Sequence, residues 1–301
     1  MRMRQGAAVL MALVMAAGSV FGLAIGRAAA QDATPAAMTT LSFTITAHEF
    51  TLEGPTEVPA GLVTVTLANE GEFRHHAQLF KLNDGVTTDQ FVAGLETGEA
   101  FGMGVASGGP STFGGGGQSR AILRLVAGQY VALCFITGRD GVPHYAKGMV
   151  ASFTVSGEDA GEPDPTADAE VTLDDFSITL SQDSFGPDQL VWKVTNAGRV
   201  SHELAVLKLP DGMTADDYAA MFEALLSGTP AAAPTAVVSP DGTPVPAPQP
   251  TAAGGLRAIA SGSTGWTVLD LDAGNYVAVC FVPEGDIPHA AFGMVTGFTV
   301  E

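Results

Sequence analysis

Along most of the chain, apolar residues recur at every second position. Leu62, Val63, Val65 and Leu67, then Ile122, Leu123 and Leu125, then Tyr130, Ala132 and Cys134 lie in short runs bounded by Gly, Pro and Asn, the period of strands with one face in a core. The pattern predicts an all-β protein. Two stretches depart from it. TTDQFVAGLET (87–97) and TADDYAAMFEALLSG (214–228) open on Thr with acids and space their apolar residues three or four apart, so each predicts a short helix on a connection between strands. The glycine-rich insert 107–119 and the proline-rich insert 229–255 read as mobile loops.

The strands come in two sets because the sequence repeats. GLVTVTLANEGEFRHHAQLFKL (61–82) aligns with QLVWKVTNAGRVSHELAVLKL (189–209), which places Asn69-x-Gly71-x3-His75 over Asn196-x-Gly198-x3-His202. AGQYVALCFITGRDGVPHYAKGMVASFTV (127–155) aligns with AGNYVAVCFVPEGDIPHAAFGMVTGFTV (273–300) with one single-residue gap. Two copies of one domain are expected, at 41–155 and 170–301. Between them, 156–169 is acidic, contains Pro and Gly and has no apolar period, so it reads as a linker. Cleavage there would then release two folded halves.

Charge narrows the partners. The chain of 301 residues carries 13 Lys+Arg against 32 Asp+Glu, a net −19, and such a field repels phosphate backbones, so no nucleic-acid partner is expected. Residues 1–30 combine Arg2 and Arg4, an apolar run over Ala7–Ile25 and Ala28-Ala29-Ala30, the pattern of a secretory signal peptide cut before Gln31. Retention of that run as a single membrane anchor is the alternative. Cleavage would remove Arg2, Arg4 and Arg27 and no acid, taking −19 to −22. The expected mature chain is soluble, periplasmic or extracellular, with no membrane contact.

The candidate chemistry lies in what both copies share. Four of the six His occupy matched places, His75 with His202 and His144 with His289, and so do Cys134 with Cys280 and Met149 with Met294. Two cysteines cannot make a disulfide framework, and Cys-x2-Cys and His-Glu-x2-His are absent, so common zinc modules drop out. A bond between Cys134 and Cys280 would require equivalent strand positions of two domains to meet and is disfavoured. Two imidazoles, a thiolate and a thioether are the set that makes a trigonal copper site with a long axial bond, whereas zinc gains little from Met. His48 and His76, opposite Asp174 or Asp175 and Glu203 in the other copy, read as surface residues.

These residues resemble the cupredoxins, the type 1 blue copper family of plastocyanin-like proteins. The resemblance covers about 115 to 130 residues per copy. It rests on Asn69…His75, Tyr130-x3-Cys134, His144-x4-Met149 and Phe153-Thr-Val155, and in the second copy on Asn196…His202, Tyr276-x3-Cys280, His289-x4-Met294 and Phe298-Thr-Val300. It implies two tandem Greek-key β-sandwiches with copper as cofactor. The ligands would be His75, Cys134, His144 and Met149 in one site and His202, Cys280, His289 and Met294 in the other. It also implies one-electron transfer with a redox partner protein, and an acidic carrier docks best on a basic patch. One departure is the loop from Cys to the second His, with nine residues between Cys134 and His144 and eight between Cys280 and His289, where the family pattern has two to four. That loop brings Asp140, Glu284 and Asp286 near the site, where a carboxylate could replace a ligand.

Enzyme chemistry is not expected from the sequence. Multicopper members of the family need further His-rich sites, often with a His beside the copper Cys, but Cys134 lies between Leu133 and Phe135 and Cys280 between Val279 and Phe281. The other reading the residues leave open is a metal-free pair of cupredoxin-like sandwiches acting in adhesion or ligand binding through long loops.

Overall fold

The computed structural model describes residues 41–187, 189–227, 237–238, 244–245 and 248–301. The expected signal peptide lies outside them, as does most of 229–247. Among the described residues no helix is long and apolar enough to cross a membrane.

The first copy contains β1 (Leu41–His48), β2 (Thr51–Glu53), β3 (Glu57–Pro59), β4 (Gly61–Asn69), β5 (Gln78–Leu82), α1 (Thr88–Leu95), β6 (Gly104–Ala106), β7 (Gln118–Leu125), β8 (Gly128–Leu133) and β9 (Val150–Ser156). The second contains β10 (Ala169–Asp174), β11 (Ser177–Leu180), β12 (Ser184–Phe185), β13 (Gln189–Asn196), β14 (His202–Lys208) and α2 (Ala215–Ser227). It continues with the two-residue β15 (Val237–Val238) and β16 (Pro244–Val245), then β17 (Thr251–Ile259), β18 (Thr264–Asp270) and β19 (Gly274–Val279). The short β20 (Pro283–Glu284) and β21 (Ile287–Pro288) precede β22 (Val295–Val300). The fold is all-β, as the two-residue period predicts. In β4, Val63, Val65 and Leu67 are fully buried while Thr64, Thr66 and Ala68 between them are less so. Both helices form where expected. Thr87 caps α1, accepting from the Gln90 N–H while Gln90 Oε1 accepts from the Thr87 N–H, a reciprocal pairing that satisfies two orphan donors.

Each copy is a sandwich of two sheets. The order β3-β9-β8-β5-β6 forms one face in the first copy and β12-β22-β19-β14-β17 one face in the second. Both pack against a single eight-stranded sheet of order β11-β10-β13-β18-β7-β4-β1-β2. That sheet runs through both copies because β18 pairs with β7, placing Trp266 opposite Ile122 and Thr267 opposite Ala121.

A second seam joins the copies where mobility was expected. Gly108 to Ser111 are buried. On one edge, Leu79 N–H donates to Gly108 O (2.8 Å) and Ala77 N–H to Pro110 O (3.2 Å); on the other, Gly108 N–H donates to Ala258 O (2.9 Å) and Arg257 N–H to Gly109 O (2.8 Å). The glycines are there for close approach, since a Cβ on Gly109 (φ 130°) would collide with the Ala77 carbonyl and one on Gly255 (φ 123°) with the Leu204 carbonyl. Glycine richness here marks backbone contact rather than flexibility. The linker carries no strand or helix over 157–168, yet Arg124 Nη1 and Nη2 reach Asp159 and Asp164 at 2.8 and 3.1 Å.

Candidate metal centres

A buried asparagine sets the first histidine of each copy. Asn69 Nδ2 donates to Phe73 O (2.7 Å) and Phe113 O (3.0 Å) while its Oδ1 accepts from Gly71 N–H (3.0 Å). Asn196 does the same with Val200 O, Ile259 O and Gly198 N–H at 2.8 to 3.0 Å. This ties down the turn that delivers His75 and His202, and it explains the Asn-x-Gly-x3-His spacing. The cysteine directly follows a strand, β8 or β19, and the long loop after it folds back as a small hairpin. Thr137 bridges Pro143 in the first copy, and β20 pairs with β21 in the second. His144 N–H then donates to Ile136 O (2.8 Å) and His289 N–H to Val282 O (2.9 Å). The extra residues are absorbed in the hairpin, so the second histidine returns beside its cysteine. Met149 N–H bonds His144 O (3.1 Å) and Met294 N–H bonds His289 O (3.2 Å), while Cys134 N–H and Cys280 N–H donate to Met149 O and Met294 O.

Three donor atoms converge in each copy. His75 Nδ1 lies 3.2 Å from His144 Nδ1, and Cys134 Sγ lies 4.0 and 3.7 Å from them. In the second copy His202 Nδ1 to His289 Nδ1 is 3.0 Å, with Cys280 Sγ at 3.9 and 3.6 Å. A triangle with either set of sides has a centre about 2.1 Å from all three corners, against typical metal bonds of ~2.0–2.1 Å for imidazole and ~2.3 Å for thiolate. All six residues are buried, as are Met149 and Met294. Both cysteines are free.

Burial discourages charge on the donors at each centre. Burial and the neighbouring His144 hold His75 down to about 4, against a weaker upward pull from Glu49. Burial first also lowers His144 and His289. The two Nδ1 atoms of each copy face one space beside the thiol, where a metal would satisfy all three. Burial, then Glu203, pushes the Cys280 thiol up to about 12, and burial raises Cys134, so each sulfur stays protonated until a metal displaces its proton. Two imidazoles and a thiolate in a trigonal, dry site are the donor set of copper. The residues fit it.

The surroundings differ between copies. Phe50 (φ 71°) and Phe176 (φ 67°) hold strained left-handed backbones and set their rings edge-on to His144 and His289 at 5.2 and 5.3 Å. Lys147 Nζ lies 4.4 Å from the Phe50 ring centroid and 2.7 Å from Asp140, whereas Phe292 stands against Phe176 in the second copy. Asp175 Oδ1 is 3.3 Å from His202 Nε2 and Glu284 Oε2 is 3.9 Å from His289 Nε2. These carboxylates face the outer ring nitrogens, away from the converging Nδ1 and Sγ atoms. His48 is a partly exposed neighbour of Glu53 and Glu70. The expectation of a surface position fails for His76, which is 3% exposed and accepts from the Phe135 N–H through Nε2 at 2.9 Å. Its matched residue Glu203 is equally buried, accepts from the Phe281 N–H at 3.1 Å and is ion-paired with Arg257. Sequence reasoning missed both because their partners, Phe135 N–H, Phe281 N–H and Arg257, lie far along the chain from them. Their positions beside His75 and His202 in the alignment were the only signal.

No protein-family model and no curated protein matches the chain. Among solved structures, a dithionite-reduced auracyanin from Roseiflexus castenholzii is 18% identical, over 44% of this chain and 94% of that one, with a TM-score of 0.27. A multicopper oxidase is 12% identical over 86% of this chain and 88% of that one, TM-score 0.25. A copper nitrite reductase from Nitrosomonas europaea is 12% identical over 87% and 94%, TM-score 0.25. Enzymes therefore stand among the structures similar to this chain, and the expectation that it is not an enzyme is corrected.

Proposed function

We propose that this chain is an exported copper protein with two mononuclear type 1-like centres that carry single electrons. The observation that carries the reading is the pair of buried His-Cys-His triangles, each sized for a metal at its centre. Copper would supply the one-electron redox chemistry. His75, Cys134 and His144 would hold it in the first copy and His202, Cys280 and His289 in the second, with the buried Met149 and Met294 as the remaining donors. Phe50 and Phe176 keep water from His144 and His289, and the backbone ties between Cys, His and Met fix the donors before metal arrives, which lowers the ordering cost of binding. The basic start, apolar run and Ala-Ala-Ala of residues 1–30 support export, and the net charge of −19 suits a redox partner with a basic docking patch.

Copper loading tests this directly. The purified chain is expected to take up two copper ions and, as Cu(II), to show an intense sulfur-to-copper charge-transfer band that bleaches on reduction. Cys134→Ser and Cys280→Ser are each expected to remove one centre's share. A colourless complex with only nitrogen and oxygen ligation would overturn the assignment.

A further inference from the structure

The polar groups just behind the two cysteines are not equivalent. Phe135 N–H, next to Cys134, bonds neutral His76, and Phe281 N–H, next to Cys280, bonds Glu203. Glu203 is paired with Arg257 of β17, and both side chains are largely buried. The counterpart of Arg257 in the first copy is Ser111, because Gly108-Gly109-Pro110-Ser111 and Gly254-Gly255-Leu256-Arg257 share the pair of glycines at positive φ and the same collision with a strand carbonyl. So the second copy carries an ion pair where the first carries His76 and Ser111.

The pair is oriented. Glu203 belongs to the second centre, beside His202, and its N–H lies 3.5 Å from Cys280 Sγ. Arg257 belongs to the seam. Its N–H donates to Gly109 O, and the adjoining Pro110 O accepts from Ala77 N–H, next to His76. The charge of Arg257 is felt at His76 and Cys134 as well as at Cys280, while that of Glu203 is felt at Cys280. Buried charges are poorly screened, and a cation disfavours the more positive oxidised state of a nearby metal while an anion favours it.

We propose that the Arg257–Glu203 ion pair is a buried dipole that polarises the two copper centres, raising the reduction potential of the first and lowering that of the second, so that transfer of one electron from the second centre to the first would be downhill. In such a transfer the second centre would lose one electron and the first would gain it. This inference rests on the copper reading above.

The test uses the full chain, with Cys280→Ser to isolate the first centre and Cys134→Ser to isolate the second. The reduction potential of each is read by spectroelectrochemistry on its charge-transfer band. The neutral pair Glu203→Gln with Arg257→Met lowers the first potential and raises the second. Together these cut the equilibrium constant for second-to-first transfer at least about tenfold, which is about 59 mV for one electron. Glu203→Asp with Arg257→Lys, which keeps both charges, preserves the order of potentials. If the neutral pair does not fold, Glu203→His with Arg257→Ser gives the second copy the residues the first already accommodates and must produce the same convergence. Potentials that stay put or move together, with the bands intact, overturn the dipole alone. Absence of the band in the unmodified chain overturns the copper reading and this inference with it.

Discussion

The His75 imidazole is held in the form a metal needs, and holding it there has a pH signature. His75 is kept neutral down to about 4 in the folded chain, while in the unfolded chain it takes a proton near 6.5. Its contribution to stability is therefore fully present above about pH 6.5 and is lost as the pH falls toward 4, at ~1.4 kcal/mol per pH unit. Urea unfolding of the metal-free protein should give a stability lower by about 3 kcal/mol at pH 4 than at pH 7 from this residue alone, with His144 and His289 acting in the same direction. An unchanged midpoint would show the imidazoles to be solvated. A second residue-scale expectation concerns Asp175, whose carboxylate lies 3.3 Å from His202 Nε2. Such outer partners orient the ring and raise its basicity, and losing one costs roughly 10- to 100-fold in metal affinity. Asp175→Asn should weaken copper binding at the second centre by that order in chelator competition and leave the first centre as it was. The converging donors were legible in the sequence because His75, Cys134 and His144 recur in order in the second copy. Asp175, Phe50 and Phe176 were not, because they come from the turns after β1 and β10, far along the chain from the residues they touch.

β14 carries His202, and β8 and β19 end just before Cys134 and Cys280, but two devices between strands complete each centre. The hairpin after the cysteine returns His144 and His289 despite the length of the loop, and the buried asparagine fixes the approach to His75 and His202. Asn69 makes three hydrogen bonds, so Asn69→Ala takes that partner from Phe73 O and Gly71 N–H and leaves Phe113 O with the His75 N–H alone, at a cost of about 2–4 kcal/mol. The expected result is a lower unfolding midpoint together with a weaker first centre in the Cys280→Ser background; a loss confined to stability would mean that the turn holds His75 without Asn69. At this scale the period-two runs and the two amphipathic stretches were readable because strands and helices bury one face with a fixed repeat. The segment 107–111 was not. Glycine richness signals either freedom or close backbone approach, and only the partners at Ala77, Leu79, Arg257 and Ala258 decide between them.

The two copies share backbone at two places, and this changes what cleavage should do. The eight-stranded sheet crosses from β7 to β18, and on its outer side Leu62 and Ile122 of the first copy pack with Trp266 of the second. The 107–111 segment is hydrogen-bonded to β17 along its other edge. The stretch 157–168, by contrast, adds the ion pairs of Arg124 with Asp159 and Asp164. Surface pairs of that kind contribute on the order of 1 kcal/mol or less, whereas separating the copies would expose Trp266 and Ile122 and leave buried backbone groups of 108–111 and 255–258 without partners. Read from sequence alone, the acidic stretch predicts two halves that part when cut. With the seam in view, a chain nicked in 157–168 should run as two fragments in denaturing gels and elute as a single species under native conditions, with both charge-transfer bands retained. Independent elution of two folded halves would show the seam to be weaker than the contacts within each sandwich. It would also cut the connection from Arg257 through Gly109 and Pro110 to Ala77, and the Arg257–Glu203 pair, which stays within the second copy, would then act on the second centre only.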